Sequence, residues 1–310
     1  MHHTATTTDP RPARCLTVLL AAALWLSLPA ATAQDGPPDT PPELPPVEAP
    51  PELPGGRKQA LEREIAKLRN DHAPARAKAE ATIVGFGRGA IPALLDASTS
   101  VHEGQRDSLV NCLARLADLR DRQLVDEQLD SERVVLRRFA ARSAGLFGLE
   151  PQVARLPPLL TDEDEGVARE AALALVRCGR PEGLPLAATL YSGPDKERVL
   201  EVLPGIIGKG RHEPLAQRLK LDPRREQEEP AVAAAERQAT VELLAAIGDD
   251  AARALLVTAL DDKHNVVQRK AIDALRDLLE NQGPLQASSI FQQIREVERL
   301  KALWQERSRG

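Results

Sequence analysis

Thr161–Gly179 reads TDEDEGVAREAALALVRCG: an acidic turn, an alanine-rich apolar run with Arg169 near its start, and a closing glycine. An oxygen-rich turn ahead of a helix could be a metal loop or a joint between helices. A calcium hand spaces its oxygen ligands along the loop, and here Gly166 stands where a third ligand would be needed. The joint reading requires the pattern to recur, and it does. Counting back from Gly179, Arg169 lies ten residues earlier and Ala171 eight earlier.

The same frame fits Gly148 with Arg138 and Ala140, Gly208 with Arg198, Gly87 with Ala79, Gly248 with Gln238, and Leu279 with Arg269 and Ala271. A weaker copy centres on Asp118, with Val110 and Ala114. The centres fall at 87, 118, 148, 179, 208, 248 and 279, so five of six steps are 29 to 31 residues and one is 40. A fixed period of this length is the mark of a stacked repeat. Each unit reads as a short first helix, often with an early proline (IPALLDA, LPPLL, LPLAATL), then an acidic turn, then a longer helix. Proline suits a first helical turn because its missing N–H had no intrahelical partner, and Asp suits a helix start because it accepts from free N–H groups. The column eight before each centre (Ala79, Val110, Ala140, Ala171, Leu200, Thr240, Ala271) is mostly small, which lets helices approach closely.

LTDEDEGVAREAAL and LDDKHNVVQRKAIDAL resemble the HEAT repeat with its Asp turn, Val and Arg, and LDSERVVLRRFAARSAGLFG is a looser copy. The resemblance implies an all-α fold, an α-solenoid of about seven helix pairs over residues 71–281. It also implies that Asp162 with Arg169, and Asp262 with Arg269, hydrogen-bond along the stack; Asp130 with Arg137 offers the same seven-residue separation. With Gln238 in the arginine column of the sixth unit and Ala77 in that of the first, those two joints should lack the ladder.

The chain has 310 residues, 42% of them hydrophobic and only 2% aromatic, so its core must be built from Leu, Val, Ile and Ala. Arg11 and Arg14, the apolar run Leu16–Leu28 and Ala31–Ala33 predict a secretory signal peptide over 1–33, cut after Ala33. An uncleaved anchor is the alternative, but the run falls short of the ~20 residues that span a bilayer. The expected mature chain is therefore exported, periplasmic or extracellular, with no membrane span. Residues 34–56 hold nine prolines and five acidic residues among 23, which predicts an extended, disordered linker. The solenoid is expected over 57–310. RKQALEREIAKL places Leu61, Ile65 and Leu68 on one face of an N-terminal capping helix. A terminal helix over 286–306 does the same with Ile290, Ile294, Val297, Leu300 and Trp304, a coiled-coil partner being the alternative. The 40-residue step contains KLDPRREQEEPA (220–231), too charged for core and expected as a surface loop.

No catalytic constellation is found, and no cofactor or metal is implied. His72, His102, His212 and His264 lie in different units, without metal-ligand spacing, and are expected at exposed turns. GIIGKGR (205–211) lacks the spacing of a phosphate loop and reads as a glycine-capped helix end. Cys112 and Cys178 are expected as free, buried thiols, because two repeat steps separate them by far more than a disulfide spans. From Arg57 onward 39 Lys and Arg stand against 40 Asp and Glu, which argues against nucleic acid. The expectation is an exported, non-catalytic scaffold that binds a protein or peptide. A bilin lyase or an enzyme-associated subunit is the alternative that the resemblance leaves open.

The resemblance also implies that the longer helices line the concave side of the stack. Positions nine, six and two before each centre share one helical stripe. In the third unit these are Phe139, Arg142 and Leu146, and in the fourth Glu170, Leu173 and Arg177. Phe139, Arg142, Glu170 and Arg177 are the expected partner-binding residues; the competing reading makes Phe139 and the leucines core.

Overall fold

The computed structural model describes residues 43–99, 103–286 and 289–309. The expected signal peptide and the first part of the expected linker lie outside them. The helices are α1 (Gly55–Lys67), α2 (Ala73–Val84), α3 (Ile91–Ala97), α4 (Glu103–Leu116), α5 (Arg122–Gln128), α6 (Val134–Phe147), α7 (Glu150–Val153) and α8 (Glu165–Arg177). They continue with α9 (Leu184–Tyr191), α10 (Lys196–Val202), α11 (Glu213–Leu219), α12 (Pro223–Glu228), α13 (Pro230–Ile247), α14 (Asp250–Ala259), α15 (Asn265–Glu280) and α16 (Ile290–Arg307). No strand occurs among the described residues. The described residues form an all-α solenoid of stacked helix pairs.

The longer helices α2, α4, α6 and α8 pack in chain order into one layer, and the short helices α3 and α5 and the 3₁₀ turn Pro157–Thr161 form the other. The eight-back column explains the close packing: Ala79, Val110, Ala140, Ala171, Thr240 and Ala271 are all buried. Contact is closest between α6 and α8, where a Cβ on Gly145 would stand 2.5 Å from that of Ala174. The repeat centres Gly87, Gly148, Gly179, Gly208 and Gly248 all have positive φ. At Gly148 and Gly248 this is the left-handed C-cap that ends α6 and α13, a conformation that costs glycine nothing. The acidic turns cap helix starts: Asp164 Oδ1 accepts from Val167 N at 3.0 Å, and Asp249 Oδ1 from Ala252 N at 2.8 Å.

The fifth unit breaks the pattern. Its longer helix α10 is only seven residues, and its column residue Leu200 is exposed. Behind it α13 packs on α9 as well as on α11, α14 and α15. The core accordingly forms two clusters that meet on α8, Ala171, Ala174 and Leu175 belonging to one, Leu173 and Val176 to the other.

Three expectations about the periphery are corrected. Residues 44–54, expected as free linker, lie as an extended strap along the first units: Arg122 donates to Pro45 O and Arg88 to Glu48 O, while Leu53 packs on the core. Within 220–231, expected as loop, Pro223–Glu228 form a helix; Asp222 caps α12, whose Glu226 is buried because Arg237, Lys263 and His264 surround its carboxylate. In α16 only the second half caps the stack: Leu300 is buried and Val297 and Trp304 are partly so, whereas Ile290 and Ile294 are exposed. At the other end Leu61 and Leu68 are buried and Ile65 packs beside them. Cys112 and Cys178 are both free thiols, Cys112 buried and Cys178 half-buried. Burial pushes the Cys112 thiol up to about 12.

Candidate functional site

The ladder residues carry charge between units, with a pairing that differs from the expected one. Arg137 Nε and Nη2 donate to both Asp162 oxygens at 2.9 Å, and Arg237 Nε donates to Asp262 at 2.6 Å. Each arginine therefore reaches the turn of the next unit, 25 residues on, instead of an aspartate seven residues away. Arg169 turns forward to Asp195 at 3.3 Å, Arg269 donates to Leu285 O at 3.0 Å, and Asp130 is taken by Arg155. Asp162 accepts from Arg137 through both oxygens and from Asp164 N at 2.9 Å, and Arg169 is not among its partners. The sixth joint, expected to lack a ladder because of Gln238, has one through Arg237. The first joint's turn includes residues 100–102, outside the described residues.

A second row of ion pairs crosses the exposed edge of α4, α6, α8 and α10. Arg138 Nε donates to Asp164 at 2.7 Å and its Nη1 to Asp107 at 3.3 Å. The guanidinium passes directly over Gly166, where any Cβ would collide with it. That explains the glycine inside the acidic turn better than any metal does. One helical turn further along α6, Arg142 grips Glu170 through two bonds of 2.9 and 2.8 Å and donates to Asn111 at 2.5 Å. Arg198 of α10 approaches Glu170 from the other side at 2.7 Å. Burial pushes the Glu170 carboxyl up, but the bonds and charges of Arg142 and Arg198 outweigh it and hold it below the ordinary carboxylate range. Glu170 is thus a buried anion between two cations, only 3% exposed.

Where α6, α8 and α10 meet, these side chains wall an open hollow of ≈ 160 Å³. Arg142, Glu170 and Arg198 form its floor, Leu146 and Arg177 its rim, and Glu201 faces them from α10. Leu146 is 49% exposed, and Arg177 is exposed with no ion pair among the described residues. The hollow can hold a polar or acidic side chain against the arginines with an apolar neighbour against Leu146. Three of the four expected partner-binding residues, Arg142, Glu170 and Arg177, line this one feature. Phe139 does not: its ring is wholly buried between units. Position nine before the centre is buried at Leu109, Phe139, Glu170, Val199 and Ala239 but exposed at Lys78 and Lys270, so the stripe does not keep to one face of the stack.

Arg198, Leu146 and Glu201 complete the site. Leu146 stands in the two-back position of the stripe, while Arg198 belongs to the ten-back arginine column and reaches the hollow through its bond to Glu170. The expectation of exposed histidines fails at His212, which is 2% exposed with its Nε2 2.9 Å from Asp249 Oδ1. Asp249 also accepts from Gly208 N at 2.9 Å, so this aspartate ties the GIIGKGR turn to α14. His264 is half-buried against Glu226 at 2.9 Å. Among the described residues no group of three or more His, Cys, Asp or Glu is placed to hold a metal ion, and no helix is long and apolar enough to cross a membrane.

No family model matches the chain, and no curated protein matches it. Among solved structures it is similar to human deoxyhypusine hydroxylase in complex with glycerol, at 19% identity over 80% of this chain and 97% of that one, with a TM-score of 0.33. It is also similar to two engineered proteins: one at 20% identity over 81% of this chain and 79% of that one (TM-score 0.31), the other at 18% over 70% and 98% (TM-score 0.28). At these values neither activity nor ligand carries over to this chain.

Proposed function

We propose that the chain is a non-catalytic binding scaffold, and that the hollow between α6, α8 and α10 takes an acidic or amphipathic segment of a protein or peptide. The observation that carries this reading is the meeting of three consecutive units at one opening with an arginine, Arg177, that has no ion pair among the described residues, beside a half-exposed leucine, Leu146. Mixed charge around an apolar contact suits protein recognition better than a phosphate backbone, which rewards basic excess. Under the same reading the chain is exported by its first 33 residues, and mass spectrometry of the secreted form should give Gln34 as its first residue.

Arg177→Glu combined with Leu146→Asp should abolish capture of the partner from the exported fraction while the thermal midpoint stays near that of the wild type. Retained capture would discard the hollow. Arg142→Glu is a poor probe, because it would set a second carboxylate against buried Glu170 and unfold the joint it is meant to test.

A further inference from the structure

The strap 44–54 follows the period of a polyproline helix, three residues per turn. Its carbonyls at positions 45, 48 and 51 all face the solenoid. Arg122 Nη1 donates to Pro45 O at 2.5 Å, Arg88 Nη2 donates to Glu48 O at 2.7 Å, and Pro51 O lies 2.8 Å from where a Cβ on Gly89 would stand. Its apolar residues keep the same period, at Leu44, Val47, Pro50 and Leu53. Pro54, at φ −55° and ψ 145°, has the backbone of that helix. Glu48 adds charge complementarity: its carboxylate is 3.7 Å from Arg120 and 3.9 Å from Arg88. Gly89 is what admits the strap, since a methyl group there would meet both Leu53 and the Pro51 carbonyl at 2.8 Å.

The two ends of the strap are held unequally. Leu53 sits against the core, whereas Leu44 and Val47 remain exposed beside an unfilled hollow of ≈ 360 Å³ against α5 and α7. The sequence PPELP occurs twice, at Pro41–Pro45 and Pro50–Pro54, nine residues apart. Nine residues are three polyproline turns, so both copies present leucine on the same face. Behind the strap, Gly55 and Gly56 form the first two residues of α1, and a Cβ on either would meet nothing within 4 Å beyond the helix's own backbone; two glycines at this junction give the backbone freedom to change direction. A segment tethered so closely is favoured over a free one by effective concentration alone and holds its place without strong contacts.

We propose that the edge formed by Arg88, Gly89 and Arg122 is a polyproline-recognition groove, filled at rest by the chain's own strap and able to take the PPELP strap of a second copy in its place. The groove is separate from the hollow on α6, α8 and α10, and the two stand or fall independently. Exchange of an identical element between copies is a low-cost route to assembly.

Two complementary variants of the full chain test it. Leu53→Asp releases the strap by placing a charge where the leucine met the core, and leaves the groove open. Gly89→Ala blocks the groove and leaves an intact strap unhoused. Each alone should sediment as a monomer, and an equimolar mixture should form a 1:1 complex at least fivefold tighter than either self-association. A mixture that sediments as the sum of its parts, with both variants helical by circular dichroism, overturns the proposal. If either variant fails to fold, hydrogen exchange on the wild-type chain decides. The Glu48 amide, which donates to Arg120 O at 3.3 Å, should exchange faster in excess synthetic peptide of sequence 41–54 than in the same peptide with both leucines replaced by aspartate. Equal protection with the two peptides overturns it.

Discussion

The α6–α8 joint and the α13–α15 joint use the same device, an arginine reaching an aspartate 25 residues on, in different surroundings. At α6–α8 the repeat is regular and the load is spread: Arg137–Asp162, Arg138–Asp164 and Arg142–Glu170 run side by side. Phe139 and the Gly145–Ala174 contact form the apolar floor beneath them. At α13–α15 one arginine serves. Arg237 holds Asp262 at 2.6 Å and Glu226 of α12 at 2.5 Å, and all three side chains are almost fully buried. The inserted helix α12 thus covers this ladder more fully: Arg237 and Asp262 are 3% and 5% exposed, against 11% and 8% for Arg137 and Asp162. A regular joint depends on packing and tolerates the loss of one ion pair. An interrupted joint depends on one buried charge cluster, where each charge needs the others.

The largest expected effect lies in the apolar floor. Phe139→Ala should cost about 4 kcal/mol in urea unfolding, through lost burial and the cavity left behind. A cost near 1 kcal/mol would mean that the regular joint does not rest on packing.

Next in size is Arg237→Ala, which strands Glu226 and Asp262 and should cost about 3 kcal/mol. The matching Arg137→Ala removes charged hydrogen bonds at a partly open site and should cost about 1.5 kcal/mol. Equal losses in the two variants would erase the contrast between the joints.

Acid should sharpen it. Lys263, then His264, with Arg237 behind them, hold the Glu226 carboxyl down at about 2 against the desolvation that would raise it. A depressed folded-state value means that this stabilisation is complete above the ordinary carboxylate range and drains away as pH falls from about 4.5 toward 2. Denaturant midpoints measured from pH 6 to pH 3 should therefore fall less steeply in Glu226→Gln than in the wild type. Parallel slopes would show that α12 does not close the cluster in solution. The smallest expected change is in Arg177→Glu, within about 0.5 kcal/mol of the wild type, since the side chain is exposed.

The sequence alone determined the repeat and much of its local chemistry. Period, glycine centres, capping aspartates and small column are set within one or two helical turns, where side-chain type and backbone conformation decide the outcome. The lining of the hollow was legible only in part, because spacing places Arg142, Glu170 and Arg177 on one side of their helices but cannot tell an inward edge from an outward one. Phe139 crossed that edge by one residue. Tertiary structure alone decided which aspartate each arginine reaches, the burial of His212 and Glu226, the docking of strap 44–54, and the bond to Glu170 that brings Arg198 to the hollow. The reason is common to all of them: each depends on what a neighbouring unit brings up against the residue in question. A long guanidinium side chain, a proline-rich strap or an inserted acidic helix is polar enough to read as solvated surface. It becomes interior only when a residue 11, 25 or 40 positions away supplies the partner that offsets its desolvation.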